Sequence, residues 1–267
     1  MAKLRIGIAG CGAIGGSLAK AIAREFPGMA RLSALYDINL SKARRISRHL
    51  AVSSLDRLIG KCDLVIEAAS AAVSADIAKR ALAKGKSVMV MSVGGLLGKL
   101  DKLARLAQKN NCRIIIPSGA ISGIDGLKAA GLGQIKSVTI TTTKSPLAFK
   151  GVGYIKKRGI KLQAIKKSRV LFSGAAKDAV KFFQQNINVA AVLSLAGIGA
   201  GKTKVNIVAD PKVKRNIHQI RIESEAGRII SRTENVLHPD NPKTSYLAVL
   251  SAVATLKGIL EPVKIGT

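Results

Sequence analysis

Tryptophan is absent from this chain of 267 residues, and aromatics are few, with three Tyr and five Phe. The core must therefore be built from Ile, Val, Leu and Ala. Their abundance brings the apolar share to 48%, which marks a globular chain rather than a disordered one. The shortage of rings also removes the stacking platform on which single-strand nucleic-acid binders lay bases. Cysteine is nearly as scarce. Cys11, Cys62 and Cys112 are odd in number, far apart, and form no CxxC or Cys/His cluster. That argues against a disulfide framework and against a metal site, and points to a reducing cytoplasm. No apolar run reaches 18 residues, so no membrane-spanning helix is expected. The opening "MAKLRIGIAG" runs straight into a glycine motif without a long apolar stretch, so it does not read as a signal peptide. Acidic residues are also in short supply. Against 44 Lys and Arg stand only 15 Asp and Glu, a formal charge of +29. Such a field concentrates anions, nucleic acid among them. Residues 150–169 carry eight basic side chains and no acidic one. They keep apolar residues and lack aromatics suited to stacking, so they read as a solvated basic face rather than a nucleic-acid arm.

What the chain does contain is alternation. Over residues 1–118, five short runs rich in Ile, Val and Leu ("KLRIGIAG", "ARLSALYD", "CDLVIEAA", "KSVMVMSV", "CRIIIPS") are separated by stretches with helical spacing. Near-continuous apolar strands between helices predict a parallel sheet covered on both faces, the α/β doubly wound Rossmann arrangement. "NLSKARRISRHL" is read as one surface helix carrying His49. Beyond it, residues 119–240 hold several consecutive strand patterns, among them "KSVTITTTK", "KTKVNIVAD", "RNIHQIRIES" and "GRIISRTENV". They predict a second α+β domain with a largely antiparallel sheet. "HPDNPKTS" reads as a loop. Residues 241–267 supply a C-terminal helix, with Thr244 or Ser245 as N-cap, expected to pack back on the first domain.

The first chemical motif is Gly10, Gly12 and Gly15 in G-x-G-x-x-G spacing, between an apolar strand and a helix. Gly10 permits a tight turn, Gly12 lets the backbone approach a pyrophosphate, and Gly15 lets helix and strand pack closely. Ala13 and Ile14 begin the helix, whose free N–H groups suit phosphates. Asp37 follows at the end of the second strand, 22 residues past Gly15. A carboxylate there suits ribose hydroxyls and repels a 2′-phosphate, favouring NAD over NADP. Lys42, Arg44 and Arg45 nearby weaken that preference. Cys11 within the loop reads as a small residue that fits rather than a redox thiol. Ala69, Ser70, Ser92, Val93 and Gly94 lie at the ends of the third and fourth strands, where sheets of this kind bind ligands, and are candidates for the nicotinamide side.

Three histidines are available for proton transfer. His49 reads as solvated. His218 shares parity with Ile220 and Ile222 on a strand, and His238 lies in the turn-rich segment; from the residues alone these two rank equally.

The sequence resembles the archaeal and bacterial L-aspartate dehydrogenases. The residues that carry the resemblance are "GxGAIG" (10–15), "PSGAISGIDGL" (117–127), "FFQQNINVAAVLSLAG" (182–197), "ADPKVKRNIHQI" (209–220) and "NPKTSYLAVLSA" (241–252). It runs the length of the chain in the same order. The stretch after "TITTTK" departs from the family's Pro-Pro pair and Gly-rich run. The resemblance implies oxidation of L-aspartate to iminoaspartate with NAD or NADP, feeding NAD biosynthesis, by a homodimer whose second domain, residues 119–240, supplies the substrate pocket and dimer contacts. It implies His218 as the active-site histidine and Ala120 and Asn188 as cofactor positions, with Asn188 also bordering substrate. A base with a pKa near neutrality suits such chemistry. Two substrate carboxylates need cationic or N–H-rich groups, for which Lys243, Thr244 and Ser245 are candidates and Lys144 a second. Two alternatives remain. One is another two-domain NAD(P)-dependent oxidoreductase, such as a dihydrodipicolinate-type reductase. The other is a non-catalytic dinucleotide-sensing or nucleic-acid-binding regulator.

Overall fold

The computed structural model describes residues 2–183, 188–239 and 241–267, apart from the side chains of Pro242 and Lys243. The chain forms two compact units. One comprises Met1–Pro117 with Val249–Lys264, the other Ser118–Ala248 with Ile265–Thr267.

The first unit is built on strands β1 (Leu4–Ala9), β2 (Ala30–Tyr36), β3 (Leu64–Glu67), β4 (Ser87–Val90) and β5 (Ile114–Ile115). They lie in the order β2-β1-β3-β4-β5, and every pairing is parallel. Helices α1 (Ala13–Glu25), α2 (Leu40–Ile46), α3 (Leu55–Gly60), α4 (Ala71–Ala83) and α5 (Leu100–Lys109) connect them. The strand order reverses between β1 and β3, the switch point beyond which such sheets bind ligands. Leu18 and Ile22 of α1 bury against Ile6 and Ile8 of β1, and Val249, Ala252 and Leu256 of the C-terminal helix join the same core. Burying side chains of this size stabilises the fold by roughly 1.5–3 kcal/mol each.

The second unit holds β6 (Ile135–Lys144), β7 (Arg169–Ala175), β8 (Lys204–Ala209), β9 (Asn216–Ser224) and β10 (Gly227–Asn235), in the order β10-β9-β6-β8-β7. Only β6 and β8 pair in parallel; the other three pairings are antiparallel. Helices α6 (Ile124–Ala130), α7 (Gly153–Lys157), α8 (Ala176–Phe182) and α9 (Asn188–Ala196) belong to this unit. The short strands β11 (Leu237–His238) and β12 (Asn241–Ser245) lead into α10 (Tyr246–Leu260), which passes from this unit into the first.

Three local expectations need correction. The helix predicted over 39–50 stops at Ile46, because Ser47 takes an extended conformation. The turn that follows lets Leu35 N donate to Leu50 O and Val52 N to Leu35 O, so pairing with β2 overrides helical spacing. His49 therefore sits in an exposed turn rather than on a helix. A helix unanticipated in sequence, α3, begins where Ser54 Oγ accepts the Arg57 N–H. "HPDNPKTS" is more than a loop, for Leu237 pairs with Ser245 and His238 with Asn241 across a hairpin.

Candidate active site

The candidate nucleotide-binding site of the first unit is built at the end of β1. Gly10 has φ +102°, and a Cβ there would lie 2.4 Å from the Ala68 carbonyl. A Cβ on Gly15 would lie 1.9 Å from Gly10 O. Both glycines are therefore demanded by the protein's own packing. Gly12 differs, because a Cβ added to it meets nothing within 4 Å. It is exposed and caps the N-terminus of α1, just before Ala13 and Ile14. The open space over Gly12, beside the free N–H groups of a 13-residue helix, fits the pyrophosphate of a dinucleotide.

Asp37 is tied into this loop. Its Oδ2 accepts the Cys11 N–H at 2.8 Å and its Oδ1 the Asn39 N–H at 2.9 Å. Each oxygen keeps a second lone pair for a ribose hydroxyl. The Cys11 thiol is buried, and burial followed by the Asp37 charge pushes its pKa up to about 12. It is held as a thiol and packs in the core.

Glu67 was not anticipated. It ends β3 with no exposed surface, and its two oxygens accept the N–H groups of Ala69 (2.8 Å) and Ser92 (2.9 Å). One carboxylate thus fastens the turns after β3 and β4. Burial raises its pKa against the effect of these hydrogen bonds. Ala69 and Ser70 are exposed, with Ser70 capping α4, whereas Ser92 and Val93 are buried. Its only signal in sequence was an acidic residue closing the apolar run "LVIE".

A separate cluster of candidates lies on one face of the other sheet. His218, Ile220 and Ile222 all project to the buried side of β9, while Gln219 and Arg221 are exposed. His218 is only 4% exposed, and its Nδ1 lies 2.9 Å from Thr142 Oγ1 on the neighbouring β6. The register places Thr142, His218 and Thr233 in one row across three strands. Thr233 Oγ1 and Asn235 Nδ2 both donate to Ala120 O, at 3.0 and 2.9 Å. Asn216 Nδ2 donates to Ser245 Oγ at 3.4 Å. Asn216, His218, Thr233 and Asn235 thus take neighbouring register positions at one end of this face, with Ala120 bound by Thr233 and Asn235 and Ser245 by Asn216. Lys144 closes β6 there, and burial lowers its pKa to about 8. Burial first, and the Lys144 charge second, lower the His218 pKa to about 3. The near-neutral value expected for a proton acceptor is therefore not what this environment produces; desolvation disfavours imidazolium.

The other candidates are placed as follows. His238 is buried in β11 with its ring edge-to-face on Tyr246, centroids 5.8 Å apart. Thr244 Oγ1 accepts from Asn241 Nδ2 at 3.2 Å, within the hairpin. Asn188 is exposed at the start of α9. The side chain of Lys243 lies outside the described residues.

Comparison with known proteins bears on both units. The family described as aspartate dehydrogenase, C-terminal, matches residues 125–259, and the family described as homoserine dehydrogenase, NAD binding domain, matches residues 10–117. L-aspartate dehydrogenase of Methanosarcina barkeri is 46% identical over 271 residues, covering 99% of this chain and 100% of the relative. That of Methanosarcina mazei is 47% identical over 272 residues, with the same coverage. Among solved structures, aspartate dehydrogenase from Thermotoga maritima superposes with a TM-score of 0.73 at 26% identity, covering 99% of this chain and 100% of that one. A homoserine dehydrogenase from Thiobacillus denitrificans shares the fold, with a TM-score of 0.63 at 13% identity, covering 97% of this chain and 74% of that one.

Proposed function

The chain belongs to the aspartate dehydrogenase family, and on that premise we propose that it oxidises L-aspartate to iminoaspartate, which hydrolyses to oxaloacetate and ammonia. One observation carries the reading: in a chain matched end to end by L-aspartate dehydrogenases, His218 stands buried in a polar cluster on an apolar sheet face. A bound nicotinamide dinucleotide supplies the hydride acceptor. Gly12, Ala13 and Ile14 hold its pyrophosphate, while Gly10 and Gly15 let the loop close tightly enough to present them. Asp37 reads the ribose, which favours NAD over NADP. Ala69, Ser70, Ser92, Val93, Ala120 and Asn188 complete the cofactor contacts.

His218 takes the proton from the substrate ammonium. The neutral amine left behind has a lone pair that drives hydride from Cα. For this, Nδ1–H donates to Thr142 Oγ1, and the lone pair of Nε2 remains available. The Thr142 contact holds the ring, and the Nδ1–H tautomer is the one that leaves Nε2 able to accept a proton. Asn188, Thr244 and Ser245 line the substrate. We further read the protein as a cytoplasmic homodimer whose product feeds NAD biosynthesis. Among the described residues, no helix is long and apolar enough to cross a membrane.

The test is the absorbance of reduced cofactor when L-aspartate is offered with NAD or NADP. Turnover with L-aspartate is expected. Turnover of a different substrate and none of L-aspartate would sink the assignment. His218→Ala should lower kcat by about 10²–10⁴-fold, the scale of a lost general base. A near-normal rate would move the role to His238.

A further inference from the structure

The first sheet carries a charged cavity at the end opposite its glycine loop. Ala2, Lys3, Arg5, Arg31 and Asp63 line a space of about 630 Å³ at the amino ends of β1 and β2. Gly10 follows Arg5 by five residues along β1, which at about 3.3 Å per residue is roughly 16 Å away. The parallel register makes Arg5 the partner of Arg31. Lys3 stands just before β1 and lines the same space. Three cations therefore converge, although like charges set opposite one another on neighbouring strands repel. Asp63 is the one carboxylate among the described lining residues, and Arg5 takes it up. Its Oδ2 accepts Arg5 N and Nε at 3.0 Å each, and its Oδ1 accepts Nη2 at 2.6 Å. Lys3 Nζ donates to Pro27 O at 2.6 Å, a neutral carbonyl that leaves the ammonium charge uncancelled. Arg31 is exposed and forms no ion pair among the described residues. The charge of Lys86 is felt at Asp63 and adds to the same field. The lining thus keeps two positive charges beyond the one that Asp63 neutralises.

We propose that this cavity binds the phosphate end of a small phosphate ester, at a site apart from the dinucleotide loop. A phosphate monoester is a dianion with three acceptor oxygens, which matches the excess charge. Arg31 offers its whole guanidinium fork and Arg5 keeps Nη1, while Lys3 adds a point charge. The space is of the size that holds a small organic molecule, so it has room for the body of the ester as well as its phosphate. The bound dianion relieves the repulsion between Arg5 and Arg31. Because it is held only when β1 and β2 are in register, binding also stabilises the first unit.

The experiment uses the full chain saturated with NADH, so that the glycine loop is occupied. Ribose 5-phosphate and inorganic phosphate are titrated by calorimetry at low salt and about pH 8, where the ester is a dianion. The proteins are the wild type, Arg31→Ala, the double variant Lys3→Ala/Arg31→Ala, and Lys136→Ala, which removes one exposed charge from the second unit. Ribose 5-phosphate should bind the wild type at a single site. Its Kd should rise about fivefold in Arg31→Ala and about 20-fold in the double variant, the upper end for exposed charge pairs. Lys136→Ala should change it less than about 1.5-fold, since a distant exposed charge is screened. Ribose 5-phosphate should raise the wild-type Tm and leave that of the double variant unchanged. Without ligand, Arg31→Ala should melt no lower than the wild type, because its repulsion with Arg5 is gone. Absence of binding to the wild type, or an unchanged Kd in the double variant, would overturn the proposal. So would an equal loss in Lys136→Ala, which marks diffuse attraction by the net charge. Inorganic phosphate binding as tightly as ribose 5-phosphate would leave the rest of the cavity without a role and overturn the choice of an ester.

Discussion

Acid should destabilise this protein through His218 by an amount the structure allows to be worked out. The perturbation is a fall in pH, with His218→Gln as the non-titrating reference. In the unfolded chain the imidazole has its ordinary pKa of 6.5, and in the folded protein the value is lowered to about 3. Between these values the unfolded state binds the proton and the folded state does not. Stability from this residue is therefore complete above pH 6.5 and is lost as pH falls toward 3. At about pH 4.5 the unfolded imidazole is protonated roughly 100 to 1, while the folded one remains neutral. The difference, RT ln 100, is about 2.7 kcal/mol, and any folded value below about 4 gives nearly the same result. The assay is urea unfolding followed by circular dichroism at about pH 8 and about pH 4.5, for both proteins. Other titrating groups act on both alike and cancel. The wild type should lose about 2.7 kcal/mol more than the variant on acidification. A differential loss under about 0.5 kcal/mol would mean that His218 is solvated, or paired when charged, and the argument from burial would fail.

Two further outcomes follow from the nucleotide half. Asp37→Ala leaves the Cys11 N–H without its carboxylate partner. Cofactor binding should weaken about 10–100-fold, with a narrower preference for NAD over NADP, measured as the ratio of kcat/KM for the two cofactors. An unchanged ratio would show that the carboxylate holds the loop without reading the ribose. Glu67→Gln substitutes an NH₂ for one of two oxygens that accept backbone N–H groups at 2.8 and 2.9 Å. It should destabilise the first unit by about 1–3 kcal/mol and lower Tm, with cofactor affinity falling alongside. Full stability in the variant would mean that the two turns are held by something other than this carboxylate.

Much of the architecture was legible in the residues. The glycine spacing, the apolar strands around it and the alternation in "NIHQIRI" each reflect a local rule of backbone geometry, and each is met in the fold. The failures were local as well. "RRISRHL" has helical spacing, but pairing of Leu50 and Val52 with Leu35 ends the helix early. "LVIE" gave little hint that Glu67 would fasten two turns, because its partners Ala69 and Ser92 lie on different loops.

By itself the sequence determined that this is a dinucleotide-binding α/β chain of the aspartate dehydrogenase family, with His218 on the buried parity of a strand. Periodicity and turn chemistry are local, and they act on residues a few positions apart. Tertiary structure alone decided what His218 would meet. Thr142 is 76 residues away in the chain, and Ala120 is 115 residues from the Asn235 amide that binds it. Those meetings depend on the register between β6, β9 and β10, which no short stretch encodes. The depressed basicity of His218 and the buried charge of Lys144 arise the same way. Desolvation is a property of everything packed around a group, so it exists only once the sheet has assembled.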